Sequence, residues 1–599
     1  MIEIERHSYD VVVVGAGGAG LRAAIGAHEA GARTAVVCKS LLGKAHTVMA
    51  EGGIAASMGN VWKEDNWEVH FRDTMRGGKM LNHWRMAELH AKEAPDRVWE
   101  LEEWGALFDR TDEGLISQRD FGGHKYARLA HVGDRTGLEM IRTLQQRAVS
   151  LGIDVFMECT ITELFTDDGE VTGAFGYWRE SGRFICFDAP SVVLATGGVG
   201  KSYKVTSNSW EYTGDGHALA LAAGASLINM EFLQFHPTGM VWPPSVKGIL
   251  VTESVRGEGG VLRNSEGERF MFNYIPEFFR SETAKDEAEG DAWYADHINN
   301  NRPPELLPRD EVARAINSEV KAGRGSPHGG VFLDIASRRS HEDILRRLPS
   351  MYHQFKELAD VDITAEPMEI GPTCHYVMGG VEVDPDTAES SIKGLYAAGE
   401  VAGGMHGSNR LGGNSLGDLL VFGKRAGEYA AARSAQIGDA RKTVFEEQTA
   451  TSAREALKPF EVEGGENPYT VHLDLQDTMQ ELVGIIRTSE EIEQALTKLD
   501  ELDERALHLT VEGHRQYNPG WHLAIDLSNM LKVSRCIAMA ALERQESRGG
   551  HTRDDYPTPD DKWGHLNLVL HQDHGKIFMK EQPLPEMPAE LAKFFEESK

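Results

Sequence analysis

The chain has 599 residues and carries 62 Lys and Arg against 93 Asp and Glu, a formal net charge of −31 that argues against nucleic acid or a bare anionic membrane as partner. No window approaches about 18 uninterrupted apolar residues, so no transmembrane helix is expected. The 5 cysteines are scattered and form no CxxC pair, which indicates neither a zinc site nor an iron–sulfur site and fits a reducing compartment.

The N-terminal stretch MIEIERHSYDVVVVGAG runs almost directly into a strand, with no cationic leader, apolar core and cleavage site. Residues 9–14, YDVVVV, read as a buried parallel strand. The turn GAGGAG follows, placing Gly15, Gly17 and Gly20 in a GxGxxG pattern ahead of a helix, LRAAIGAHEAG, and a second strand, TAVVCK. A lone GxGxxG is weak evidence, but between a strand and a helix it predicts a dinucleotide site. There Gly17 admits a pyrophosphate close to the backbone at the helix N-terminus. An acidic residue normally follows the second strand to hold a ribose; here Cys38, Lys39 and Ser40 stand instead. That departure disfavours a nicotinamide nucleotide and favours FAD held in another way. Next comes GKAHTVMAEGGIAAS (43–57), almost all small residues around one imidazole, His46.

Two further strand-then-glycine turns appear, APSVVLATGGVG (189–200) and IKGLYAAGE (392–400). Strands distant in sequence that end in small-residue turns suit one sheet with a ligand across its carboxyl edge. The fold class expected is therefore α/β, with a Rossmann-like nucleotide domain made discontinuously from residues 1–235 and 355–435. An α+β domain, 236–354, is inserted, and its acidic, Asn-rich stretch at 281–305 reads as a solvated loop. From 436 to 545 the apolar residues follow helical spacing, predicting a helical domain. The remainder, 546–599, is Pro- and charge-rich, with a strand at LNLVLHQ.

Five short stretches combine Arg, His, Glu, Thr and Gly: FHPTG (235–239), TESVRGEGG (252–260), LLPRDEVARA (306–315), GPTCHYVMGG (371–380) and HGSNRLGGNSLGD (406–418). An arginine set among glycines is poorly suited to core packing and well suited to gripping a carboxylate with its planar fork. Taken alone, each such residue has an ordinary alternative. Arg309 could pair with Asp310 or Glu311, Glu253 and Arg256 could form a structural ion pair, and Asp215 and Glu400 could cap helices. His236 and His375 could be satisfied core histidines. Cys374, beside His375, reads as a packed small residue, since no acyl-transfer context accompanies it.

As a set, these motifs resemble the flavoprotein subunit of succinate dehydrogenase and fumarate reductase, over nearly the whole chain from GAGGAG to ESRGGHTRDDYP (546–557). The resemblance implies that His46 bonds covalently to the flavin; this sequence has KAHT, with Lys44 and Ala45 where many members have Arg and Ser. It implies an FAD site in which Gly15, Ala16, Gly17, Gly18, Ala19 and Gly20 form the phosphate loop and Lys39 and Ser40 lie near the adenosine. Lys44, Ala45, Thr47, Gly52 and Gly53 would wrap the ring, Asp215 and Glu400 contact the ribose or ribityl region, and Ser415 and Leu416 run along the flavin. It further implies a dicarboxylate site in which His236, Thr252, His375 and Arg410 hold the substrate. Arg309 would exchange the proton, with Glu253 and Arg256 as a relay and the inserted domain as a cap. Such a cluster would concentrate positive charge locally within a very acidic protein.

The resemblance also implies partners: an iron–sulfur subunit, membrane anchor subunits with or without haem, and quinone reached through them. The chain would then sit on the cytoplasmic face of the membrane through those subunits. Competing readings are the fumarate-reducing direction, L-aspartate oxidase (whose FAD is not covalent), a stand-alone soluble fumarate reductase, and a non-catalytic FAD-binding scaffold.

Overall fold

The computed structural model describes residues 3–438 and 442–598. The strand Val11–Val14 is four buried valines. It pairs with Thr34–Cys38 on one side and Ser191–Leu194 on the other, and Asp154–Met157 and Leu395–Ala397 complete a five-stranded sheet. Every neighbouring pair in it is parallel. A parallel sheet covered on both faces calls for continuous apolar, β-branched runs rather than alternation, which is what the three central strands are; the edge strand Asp154–Met157 is exposed at both ends. Strands from residue 11 to residue 397 thus meet in one Rossmann-like sheet, and the carboxyl ends of four of them open onto one cavity.

The turn between the first strand and the helix Gly18–Glu29 closes only because it is glycine. A Cβ on Gly20 would stand 1.9 Å from the Gly15 carbonyl oxygen, and Gly15 itself holds φ +115° with its missing Cβ 2.2 Å from the Ala195 oxygen. Gly20→Ala is therefore expected to abolish flavin retention, read as flavin absorbance per folded chain; a variant that keeps a full complement contradicts the steric argument. The same helix packs closely against Asn414–Ile437, where a Cβ on Gly427 would meet the Ala23 oxygen at 2.0 Å.

A second sheet (Ile4–Ser8, Phe184–Asp188, Glu170–Trp178, Cys159–Asp167) flanks this unit. A further antiparallel sheet joins Leu233–Met240, Val331–Asp334 and Val261–Arg263 to Met368–Val377, so the segment expected to be inserted at 236–354 is completed by a strand from beyond residue 354. It has its own apolar core, including Met240, Val251, Leu262, Leu333 and Ile370. In its longest pairing the register shifts between His236 and Gly239, around Pro237, which has no N–H to give to the ladder.

Residues 281–305 are not simply a solvated loop. Asp286 caps a helix, Glu287–Trp293, by accepting from the Glu289 N–H; Trp293 is buried, and Glu305 is fully buried against Arg269 at 2.6 and 2.9 Å. The acidic composition hid this because the neutralising cation lies 36 residues upstream. The helices Pro468–Leu482, Ser489–Ala506 and Pro519–Glu543 pack together, and LNLVLHQ forms the strand Leu566–Asp573, paired with Lys576–Pro583 and Leu227–Ile228. Among the described residues no helix is long and apolar enough to cross a membrane. All five cysteines are free and buried.

Candidate active site

One cavity, enclosing about 1560 Å³ of empty space with its mouth, is lined by every residue that the resemblance assigns to cofactor or substrate, except Gly20 and Arg256. Gly20 is spent on closing the turn, and Arg256 stands behind Glu253.

At the glycine turn, the helix Gly18–Glu29 begins from Gly17 with no side-chain cap and no acidic residue in its first turn. A Cβ on Gly17 would have no atom nearer than Thr47 Oγ1, at 3.5 Å. An N-cap glycine that brings no side chain to the first-turn N–H groups leaves room for a pyrophosphate at the positive end of the helix dipole, so the site fits the phosphates of FAD. Thr47 touches this turn, its Oγ1 accepting from Gly18 N at 3.3 Å. Lys39 Nζ donates to Thr213 at 2.7 Å, Asp215 at 2.9 Å and Asp526 at 2.7 Å, so two of the predicted cofactor residues pair with each other.

His46 opens a short turn, His46–Met49, with its ring edge-on to Tyr212 at 4.8 Å. Its Nε2 lies 3.3 Å from Asn208 Nδ2, and its buried Nδ1 has no partner among the described residues. Burial first, and the nearby Lys201 second, push this imidazole down to about 4, which leaves it neutral at neutral pH. Glu400 is buried under the same cavity wall and accepts from the Val377 N–H at 3.1 Å. Burial raises its carboxyl to about 8. Because folding raises this pKa, the stability it contributes is complete below the ordinary carboxyl value and is lost as pH climbs through about 8. Glu400→Gln is therefore expected to gain Tm relative to the parent between about pH 5 and 8; a constant Tm difference across that window would contradict the shift.

The cationic end is built from both apolar cores. His236 comes from the bulge, its Nδ1 3.0 Å from the Thr238 carbonyl oxygen; His375 lies on the facing strand, Nδ1 2.9 Å from Ser207 Oγ, with the two rings 5.2 Å apart. Burial, then the neighbouring arginines, hold both imidazoles well below their ordinary range, so both are neutral. Arg309 begins the helix Arg309–Lys321, and its Nε donates to Glu253 Oε2 at 2.9 Å. Arg256 Nη2 approaches the same oxygen at 3.7 Å. Burial raises Glu253, but the charges of Arg309 and Arg256 outweigh it and hold the carboxylate below its usual range. Thr252 Oγ1 donates to Ser254 Oγ at 3.2 Å. Arg410 lies over the Tyr376 ring at 4.5 Å and donates to Ser415 Oγ at 2.9 Å. Leu416 lines the wall one residue further on.

Sequence reasoning missed several residues here. Gln234 Oε1 accepts from both Arg410, at 2.9 Å, and Arg309, at 3.3 Å, and so sets the spacing of the two guanidinium groups. It stands two residues before His236 on one strand, and strand alternation could have flagged it. Glu51 and Tyr212 also line the cavity. Glu51 has a buried Oε2 with no partner among the described residues, and burial pushes its carboxyl well above the ordinary range.

Known proteins share this fold. The model described as "FAD binding domain" matches residues 10–416, and the model described as "Fumarate reductase flavoprotein C-term" matches residues 472–593. The chain is 43% identical to one subunit of the fumarate reductase (CoM/CoB) of Methanothermobacter marburgensis, covering 94% of this chain and 97% of that one. It is 37% identical to the succinate dehydrogenase flavoprotein subunit of Rickettsia bellii, over 97% and 96%. A solved structure, Mycobacterium smegmatis Sdh1 in complex with UQ1, aligns with TM-score 0.87 at 63% identity, over 99% and 97%. Fold and cavity together are those of an FAD-dependent oxidoreductase. The chain belongs to the succinate dehydrogenase/fumarate reductase flavoprotein family.

Proposed function

We propose that this chain is the catalytic flavoprotein subunit of a succinate:quinone oxidoreductase and oxidises succinate to fumarate. The observation that carries the reading is the bridging of Arg309 and Arg410 through Gln234, with His236, His375 and Thr252 in the same cavity as the uncapped Gly15–Ala19 turn. FAD, when bound, supplies the two-electron acceptor for hydride. Arg410 and the two neutral imidazoles grip the substrate carboxylates with the Thr252 hydroxyl; two guanidinium groups balance a dianion that the protein's net charge would otherwise repel. Arg309 exchanges the substrate proton at its guanidinium. Glu253, ionised and 2.9 Å away, passes that proton on, and Arg256 keeps Glu253 anionic. His46 is the point of covalent attachment.

Electrons then leave for a separate iron–sulfur subunit, since the sequence offers no cysteine cluster to carry them. From there they reach quinone through membrane anchor subunits, with or without haem, which hold this chain at the cytoplasmic face. The 43% identity to a relative named as a fumarate reductase favours a second reading, the same site run toward fumarate reduction. The complex purified from native membrane decides between them. Succinate-dependent dye reduction faster than viologen-dependent fumarate reduction is the result expected, the opposite ratio favours the second reading, and no turnover of any C4 diacid overturns both.

A further inference from the structure

The turn that follows Arg410 is held by three histidines to which the sequence motifs assign no role. His124 Nε2 lies 2.7 Å from the Gly412 carbonyl oxygen, and His90 Nε2 lies 3.2 Å from that of Asn414. His70 Nε2 lies 3.0 Å from Asn414 Oδ1, while Asn414 Nδ2 donates to Thr74 Oγ1. Since carbonyl oxygens only accept, each ring must donate from Nε2. Their Nδ1 atoms are buried without a partner among the described residues. The three rings come from separate elements: the helix Trp67–Gly77, the helix Trp84–Glu103 and the loop after Phe121. They pack edge to face, His70 against His90 at 5.1 Å and His70 against His124 at 6.0 Å, and all are essentially inaccessible to solvent.

What they hold matters for the site. The turn separates Arg410 from Ser415, the hydroxyl to which Arg410 donates. A Cβ on Gly412 would strike Phe121 at 2.3 Å and come within 3.3 Å of Arg309 Nη2. The turn is therefore flush against the cavity wall, and a shift of a few tenths of an ångström would move one guanidinium relative to the other.

We propose that His70, His90 and His124 are positioning residues, a cradle of Nε2–H donors that fixes the Gly412–Asn414 turn and so the placement of Arg410 against the dicarboxylate. The proposal rests on the functional reading above.

The test uses the complete complex with all its subunits. Turnover of succinate with an artificial acceptor gives KM and kcat, flavin absorbance changes on malonate addition give a dissociation constant, and Tm is recorded alongside. His124→Phe keeps bulk but loses the donor, and it is expected to raise KM and the malonate constant by about tenfold or more with kcat within about threefold. His124→Gln, which can place an amide N–H near the same oxygen, is expected to recover most of that loss. His551→Phe, at a buried histidine bonded to Arg487 and the Arg544 carbonyl, should lower Tm without moving KM. Should His124→Phe not accumulate, His70→Phe, which removes only the bond to the Asn414 side chain, carries the same test with a rise of about threefold. A KM within about twofold of the parent in whichever folded Phe variant is measured overturns the proposal. A parent complex that turns over no C4 diacid overturns the functional reading, and the positioning role with it.

Discussion

His46→Ser is expected to release its flavin on acid precipitation and to lose succinate oxidation more severely than fumarate reduction. The imidazole is buried and neutral, and its Nε2 faces the Asn208 amide N–H, so the lone pair that a nucleophile needs is on Nε2. An electron-withdrawing imidazole substituent makes a flavin a stronger oxidant. For a two-electron couple, each ~30 mV of lowered potential shifts the balance about tenfold away from oxidation. Fluorescence of the denatured polypeptide band reports the attachment, and the ratio of the two activities reports the potential. A serine variant that oxidises succinate at the parental rate would refute the role assigned to the link.

Arg309→Lys should fall in kcat by about 10²–10⁴-fold in both directions while still binding dicarboxylates. Lysine keeps the charge but not the planar fork that lets Arg309 reach Glu253 Oε2 at 2.9 Å and Gln234 Oε1 at 3.3 Å together. Its shorter reach breaks the connection to Glu253 before it removes the electrostatic attraction for the substrate. Malonate affinity within about tenfold of the parent, with turnover nearly gone, is the expected signature. Parallel loss of both would mean that Arg309 only binds.

Much of the fold was readable because its signals are local. Four valines before GAGGAG, the β-branched run before Gly197, the short apolar run before Gly399, and the helical spacing after residue 440 each rest on a few adjacent residues. The arginines set among glycines were visible for the same reason. What escaped depends on pairs far apart in the chain. Gln234 looks like any strand glutamine until Arg309 and Arg410 arrive from 75 and 176 residues away. Glu305 reads as part of an exposed acidic run until Arg269 neutralises it. His70, His90 and His124 acquire meaning only when two helices and a loop converge on one turn. The roles given to individual cavity residues came from resemblance, since no spacing rule distinguishes an arginine that binds from one that carries a proton.

The parallel sheet takes its strand Leu395–Ala397, and the helix Asn414–Ile437 behind it, from a point two thirds of the way along the chain. A ribosome adding about 5–20 residues per second needs roughly 20–80 s before those pieces emerge. Until then the glycine turn has no finished wall opposite it. Cofactor loading is therefore a late event in the life of each molecule, and truncated products of interrupted synthesis should leave the cell's flavin pool untouched.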